Sequence, residues 1–355
     1  MHVGQLLQPV PGGIGRYVVQ LVAALPGAGV TPVSFAAGAR PPGVDGVYVD
    51  LGRPAGPARY EAWHRLRRPV VRAPGQVLHA PSLAVPPSGR RPLLVTVHDL
   101  VFLHHPELLT PRGASFHRRG LDVARREAAA VVVPSDFGRH ELVDAGFDAE
   151  RVHVAPHGVT HFGPAIDPAA GAALLARRGV RPPFVLFVGT IEPRKGVPEL
   201  LAAHAALRVA HPDLGLVLAG PRGWGPAPPL AAPGVVALGG VDDVTLEALY
   251  GAAVVLALPS HYEGFGLPVV EAMARGCPVV VSDAACLPEL VGDAGVVVPS
   301  GDADALAGAL ERLVGDDDLR STHAAAGRTR AVAFTWPASA AAHAGAYAAA
   351  VEAYR

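Results

Sequence analysis

Apolar runs of strand length alternate with longer stretches whose apolar side chains recur every three or four positions, and this alternation runs the length of the chain. Short apolar runs bounded by Gly and Pro read as buried strands, and the longer periodic stretches read as amphipathic helices. In the first half the pattern predicts strands at 3–6, 32–35, 47–49, 77–79, 93–97, 131–133 and 152–155, with helices at 15–25, 112–130 and 136–145. The second half repeats the scheme with strands at 184–188, 214–219, 235–238, 254–258, 279–282 and 295–298, and helices near 198–209, 244–252, 267–275 and 303–313. Residues 161–183 read as a linker containing the short helical AAGAALLARRG, and an Ala-rich helix occupies 337–355. Strand–helix alternation of this kind predicts an α/β chain of parallel sheets with helices on both faces, here two Rossmann-like doubly wound domains over 1–165 and 166–336. Sheets of this type place their ligand crevices at the carboxyl ends of the strands. No internal repeat of fixed period occurs.

Composition agrees with two buried cores. The chain has 355 residues, half of them hydrophobic and only 17% charged, which suits two domains of ordinary size. Mean hydropathy is +0.30, yet no run of 18 apolar residues occurs, so no transmembrane helix is expected. The opening MHVGQLLQPV has no basic region and no long apolar core, so a secretory signal is not expected either. Cys277 and Cys286 read as small core residues in a reducing cytoplasm rather than a disulfide or metal pair. The net charge of −1 is unevenly spread: 17 arginines face 12 acids in 1–165, and 13 basic residues face 19 acids in 166–355. The two halves read as different units.

Two loops then stand out. Glu263-Gly-Phe-Gly-Leu-Pro-Val-Val-Glu271 follows the apolar run VVLALPS and leads into the helical EAMARG. A strand, a glycine turn and a helix start together make an anion site from backbone N–H groups, and glycine lets a ligand approach closely. A carboxylate at each end suits hydroxyls, so an anion that also carries hydroxyls, such as a nucleotide sugar, fits the loop. The second loop holds Lys195. Of 30 basic side chains 29 are arginine, and the single lysine sits in VGTIEPRKGVPELLAAH, again a strand, a turn and a helix start. A compact ammonium and a planar guanidinium are not interchangeable at a tight phosphate site; chance survival of one lysine is the alternative.

PSHYEGFGLPVVEAMARGCPVVVSD, VGTIEPRKG, TVHDL, HGV and the early GGIGRY together resemble the retaining glycosyltransferases of family 4, which have the GT-B architecture. The resemblance covers nearly the whole chain, and the TVHDL and GTIEPRK forms are similar to the bacterial mannosyltransferase branch. It implies two Rossmann-like domains about a central cleft, an acceptor-side first domain, a nucleotide-sugar-binding second domain, and a C-terminal helix packing back on the first. By the same resemblance Glu271 binds the ribose hydroxyls, Glu263 orients donor-sugar hydroxyls, and the N–H groups of Gly264, Phe265, Gly266 and Leu267 face the sugar and diphosphate. Lys195 with Arg194 neutralises the departing diphosphate. Most family members carry arginine directly after the glycine of the first strand-end turn, where this chain has Gly189-Thr190, and Arg194 is expected to supply that guanidinium. His98 lies near the donor sugar, Gly220 and Val241 contact the base through the backbone, and Gly13 and Gly15 offer amides to diphosphate or acceptor. A dinucleotide fingerprint fails there, because the third glycine position is Val18.

Other features have plainer readings. Asp99 reads equally as a turn cap and as a contact to the donor sugar beside His98, Ser135 with Asp136 as a cap, His157-Gly158-Val159 as an interdomain turn, and the acid pairs at 302–304 and 316–318 as solvated or capping residues. No histidine spacing suggests a metal, and none is expected. Arg112, Arg119 and Arg126, with Arg118 and Arg125, give the helix 112–130 one basic face, either simply solvated or docked on an anionic membrane or acceptor. The expected activity is transfer of a hexose, mannose from GDP-mannose, to a saccharide or lipid-linked acceptor. No other cofactor and no nucleic acid partner are expected. The place of action is the cytoplasm, with peripheral contact at the inner face of the plasma membrane as a further expectation. A UDP-sugar donor, a nucleotide-sugar epimerase and a non-catalytic saccharide-binding protein are the rival readings.

Overall fold

The computed structural model describes residues 1–8, 11–52, 57–159, 166–226 and 228–354. The chain divides into two compact units, Met1–Gly158 with Thr335–Arg355, and Val159–Phe334. The division falls beside the HGV turn; the expected boundary at 165/166 adjoins residues 160–165, which lie outside the described residues.

Unit 2 is a six-stranded parallel sheet. Its strands are β7 (Phe184–Val188), β8 (Gly215–Ala219), β9 (Val235–Gly239), β10 (Val255–Leu258), β11 (Val279–Ser282) and β12 (Val296–Val298), in the order β12-β11-β10-β7-β8-β9. FVLFV, VLAL and VVVS are buried almost throughout, as continuous apolar runs must be when helices cover both faces. The expected linker is partly built into this unit. Its helix Pro168–Arg177 buries Leu175 completely and sets Gly171 near Ala248 on the helix Asp243–Ala252. The helix Asp317–Ala331 was not foreseen, since DDLRSTHAAAGRTRA carries no continuous apolar stripe. It docks through Gly327, whose missing side chain leaves room for Met273. Asp302 and Asp316 cap helices, accepting from the N–H groups of Ala305 and Leu319.

Unit 1 contains β1 (Val33–Ala36), β2 (Val47–Asp50), β3 (Leu78–Ala80), β4 (Leu93–Thr96), β5 (Ala130–Val133) and β6 (Val152–Val154). β1 pairs with β2, and β3 to β6 form a parallel sheet in chain order. Residues 1–3 join the two: His2 bridges Phe35 of β1 and donates its N–H to the His79 carbonyl of β3 at 2.9 Å. The expected strand 3–6 is therefore displaced toward the chain start, and Gly4–Leu7 is a single 3-10 turn. With that junction the strand order reverses between residues 1–3 and β3, again a doubly wound pattern. The helix Trp336–Glu352 belongs to this unit, and Ala346 and Ala350 pack on Leu94, Ala130 and Val132. Alanine lets a helix lie close against a sheet. No described helix is long and apolar enough to cross a membrane.

A buried hydrogen-bond chain ties that helix to the sheet. The Ser339 carbonyl can only accept, so Nδ1 of His343, 2.7 Å away, carries the proton. Burial pushes the His343 pKa down to about 4, so the ring is neutral and its Nε2 accepts from the Tyr17 hydroxyl at 2.7 Å. Tyr17 must then accept from Thr96 at 2.9 Å, Thr96 from His79 Nε2 at 2.8 Å, and His79 Nδ1 from Tyr347 at 2.7 Å. Burial holds His79 well below its ordinary pKa as well. Every group in the chain is satisfied in one direction only, with the two histidines in opposite tautomers.

Candidate active site

The two central strands of unit 2 end in the loops singled out by sequence. β7 runs into residues 189–196 and the helix Val197–Leu207; β10 runs into residues 259–266 and the helix Leu267–Arg275. The strands are neighbours in space but not in sequence, so their loops meet where strand order reverses, the usual ligand crevice of such a sheet. The His261 N–H donates to the Arg194 carbonyl at 2.8 Å and ties one loop to the other. Gly196 takes φ +64°, and a Cβ there would lie 2.0 Å from the Pro259 carbonyl oxygen, so only glycine permits this approach.

Four charges gather at the junction. Lys195 Nζ lies 2.5 Å from Glu263 Oε2, Arg194 Nη1 lies 3.6 Å from Glu263 Oε1, and Arg194 Nε donates to Glu192 Oε1 at 2.6 Å. Lys195, Glu263 and Glu192 are all buried. Desolvation pulls the Lys195 pKa down, with the Arg194 charge adding to it. Desolvation also pushes Glu263 upward, but Lys195 and Arg194 together outweigh it and hold the carboxyl below its ordinary range. At Glu192 burial prevails over the two cations and the shift is upward. Glu192 is a member of this cluster that sequence reasoning did not name; its place two residues before Arg194 was the available signal.

Above the cluster the helix Leu267–Arg275 begins. Its N-cap Gly266 takes φ +97° and leaves 3.0 Å between an added Cβ and Leu290, so the turn admits no side chain. The N–H groups of Gly264, Gly266 and Leu267 have no acceptor among the described residues; at a helix N-terminus such donors suit an anion. Phe265 is buried, 5.8 Å edge-on from Phe334. The Cys286 thiol donates to the carbonyls of Glu263 and Phe265, at 3.1 and 3.4 Å, and braces the turn from beneath. Burial raises its pKa well above the usual thiol value, so it is a core group, as Cys277 is at about 12. Glu271, one turn into the helix, is buried and accepts from the Tyr250 hydroxyl at 2.9 Å. Tyr250 had no sequence signal, because it reaches Glu271 from a different helix.

Gly189, Gly220 and Val241 follow three adjacent strands, β7, β8 and β9. The Gly189 N–H donates to the Ala219 carbonyl and the Gly220 N–H to Gly239, so both amides are engaged, and the Gly189 carbonyl packs against Gly220, where a Cβ would lie 2.0 Å from its oxygen. Thr190 continues from Gly189 beside Gly223, and Val241 is half-buried against the core.

His98, Gly13 and Gly15 belong to unit 1. His98 Nε2 lies 2.8 Å from the Pro81 carbonyl and donates to it, burial lowers its pKa, and its ring stands edge-on to Tyr17 at 4.9 Å. Asp99 accepts from the Val101 N–H at 3.3 Å, and Ser135 caps its helix through Gly138. Gly15 requires a correction. The helix starts at Gly12 rather than Gly15, the Gly15 N–H donates to the Pro11 carbonyl, and its Cβ position is filled by Pro11 at 2.4 Å. Its amide is therefore not available to a ligand, whereas exposed Gly13, in the first turn, has no acceptor for its N–H among the described residues.

Two family descriptions match the chain, Glycosyltransferase Family 4 over residues 11–161 and Glycosyl transferases group 1 over residues 182–316. The O-antigen chain mannosyltransferase B of Escherichia coli is 32% identical over 273 residues, 73% of this chain and 71% of that protein. The chain belongs to glycosyltransferase family 4. A phosphatidyl-myo-inositol mannosyltransferase of Mycobacterium leprae is 31% identical over 92% of this chain and 90% of its own. Other relatives, at up to 34% identity, are D-inositol 3-phosphate glycosyltransferases. Among solved structures, the sucrose-phosphate synthase of Thermosynechococcus elongatus superposes with a TM-score of 0.72 at 25% identity, covering 95% of this chain and 93% of that one. The fold is accordingly GT-B, with two Rossmann-like domains, and the protein is a hexosyltransferase.

Proposed function

We propose that this family 4 enzyme takes mannose from GDP-mannose and delivers it, with retention at the anomeric carbon, to a hydroxyl of a saccharide or lipid-linked acceptor. The observation carrying the donor site is the buried Lys195–Glu263 pair beneath the amides of Gly264, Gly266 and Leu267. In this reading the diphosphate lies against those amides and draws Lys195 away from Glu263, so that Glu263 turns its carboxylate to the sugar hydroxyls. Glu271 then takes the ribose diol, whose two hydroxyls match two carboxylate oxygens. The bond from the anomeric carbon to the phosphate oxygen breaks while the acceptor oxygen bonds the same carbon on the same face. The acceptor proton passes to the departing phosphate oxygen, whose growing charge Lys195 and Arg194 offset. Mannose is supported by the Escherichia coli and Mycobacterium leprae relatives and by the TVHDL and GTIEPRK forms.

The test is incubation with GDP-mannose, UDP-glucose and UDP-galactose, each with and without a mixture of saccharide acceptors. Mannose transfer or slow GDP-mannose hydrolysis is expected, lost in Glu271→Ala together with at least about tenfold of nucleotide affinity, on the scale of one charge-assisted contact. Preferential turnover of a UDP-sugar would replace the donor assignment. A product formed from donor alone that is itself a nucleotide sugar would replace transfer by epimerisation.

A further inference from the structure

Of the four charges where the two donor-side loops join, Glu192 alone is given no task by the transfer reading. Its side chain is 3% exposed, and the loop after β8 is the reason. Ile191 bridges Arg222, the Gly223 N–H donates to the Ile191 carbonyl at 3.0 Å, and a Cβ on Gly223 would lie 3.3 Å from that of Glu192. The bare glycine thus lets this loop lie over the stem of Glu192. Among the described residues the one ion-pair partner of Glu192 is Arg194, 2.6 Å away through Nε. Arg194 is itself shared: its Nη1 donates to the Tyr262 carbonyl at 3.1 Å and lies 3.6 Å from Glu263. The other charges acting on Glu192 are Lys195, which favours its anion, and Glu263, which opposes it. Burial outweighs both cations even with Arg194 in contact, so this carboxyl already holds a proton more readily than an ordinary glutamic acid.

The cluster is balanced, Arg194 and Lys195 against Glu192 and Glu263. The diphosphate of a nucleotide sugar adds two negative charges, which leaves the site strongly anionic if both carboxylates stay ionised. Glu192 feels this most. The diphosphate draws on Arg194, its one ion-pair partner, and repels a carboxylate that water screens poorly. Glu263 is better placed to remain an anion, because it starts below the ordinary carboxyl range and gains sugar hydroxyls that donate to it. We propose that Glu192 takes up a proton from solvent when the nucleotide sugar binds and returns it when the nucleotide leaves. The proton converts its carboxylate to a neutral carboxylic acid, which frees the Arg194 guanidinium for the diphosphate. Glu192 is thereby a positioning residue acting through Arg194, holding the guanidinium before the donor arrives and releasing it afterwards. The inference rests on the diphosphate-binding part of the transfer reading and adds a proton linkage to it. Because such coupling is reciprocal, donor affinity rises as pH falls, by up to about tenfold per unit between the pKa values of Glu192 without and with the donor.

Isothermal titration at pH 7 with GDP-mannose, or with the UDP-sugar that the donor incubations select, tests this in phosphate, HEPES and Tris buffers. These buffers differ in heat of ionisation, and a sugar diphosphate diester does not itself titrate near neutrality. The buffer dependence of the binding heat therefore measures protons taken up by the protein. An uptake of about half a proton or more per site is expected, with an affinity that weakens from pH 6 to pH 8. Glu192→Gln keeps the volume and an acceptor for Arg194, and circular dichroism with a melting curve checks its fold. It should still bind the nucleotide sugar, with the uptake lost and the affinity level over the same pH range. Clear binding without proton uptake in the unaltered protein would overturn the proposal and leave the donor reading intact. An equal uptake in Glu192→Gln would overturn it too, by moving the proton to another group. No binding of any nucleotide sugar would overturn both this proposal and the donor reading.

Discussion

Lys195→Ala is expected to lower turnover with the correct donor by at least about a hundredfold, the scale on which single preorganised charge-stabilising groups act. The same change should destabilise the protein. Lys195 and Glu263 are both buried and lie 2.5 Å apart; removing one member of a buried pair costs about 3–5 kcal/mol when the other is left unpaired, and Arg194, 3.6 Å from Glu263, offsets part of that here. Loss of activity alone would therefore not separate chemistry from folding. The double variant Lys195→Met/Glu263→Gln does so, because it removes both charges and keeps the volume. Its melting temperature should return most of the way to that of the unaltered protein while turnover stays low. Lys195→Arg should not rescue either, since a planar fork does not fit where a compact ammonium sits against the Gly189 turn. Recovery of turnover in the double variant would remove Lys195 from the reaction.

Acid should unfold unit 1 well before carboxylate titration alone would. Burial lowers the pKa of His2 to about 3 and those of His64 and His343 to about 4, against about 6.5 in an unfolded chain. The folded unit thus binds fewer protons than the unfolded one between those limits, and stability rises with pH there. The contribution is complete above about pH 6.5 and is lost progressively as pH falls toward 4. Each histidine removes roughly 1.4 kcal/mol per pH unit, so the three together remove about 4 kcal/mol per unit, most of a domain's stability within two units. The hydrogen-bond chain sharpens the effect. A proton added at His343 turns Nε2 into a donor aimed at Tyr17, and the whole one-way chain to Tyr347 must reverse. Trp63 and Trp336 lie in unit 1 and Trp224 in unit 2, so tryptophan fluorescence follows mainly the former. Urea titrations at pH 7, 6 and 5 should show a midpoint that falls steeply, whereas a midpoint constant over this range would contradict the buried neutral histidines.

Much of the candidate site was legible because its signals are local. Glu263, the glycine turn and Glu271 lie within nine consecutive residues, and the Lys195 loop is another contiguous segment. The strand and helix pattern placed each loop after a strand. Which strands become neighbours, and hence which loops meet, is a property of sheet order rather than of any one segment. Partners supplied across the fold were not legible for the same reason. Tyr250 reaches Glu271 from another helix, the Cys286 thiol braces the turn from a segment beyond β11, and His79, Tyr17 and His343 come together from three distant places. Gly15 was misassigned because a glycine before an apolar helix looks the same whether it opens the helix or sits inside its first turn; Pro11 decides the matter by accepting its N–H. The strand expected at 3–6 failed for a similar reason. Pairing with β1 and β3 takes residues 1–3, and an apolar run does not show which of its residues will find partners.

The crystal structure of the protein with bound GDP tests the central claim most directly. The account predicts diphosphate oxygens within hydrogen-bonding distance of the Gly264, Gly266 and Leu267 N–H groups, Lys195 transferred from Glu263 to phosphate, and the ribose hydroxyls on Glu271. A nucleotide seated elsewhere, or a diphosphate bound while Lys195 stays on Glu263 and Glu271 touches no ribose oxygen, would contradict it.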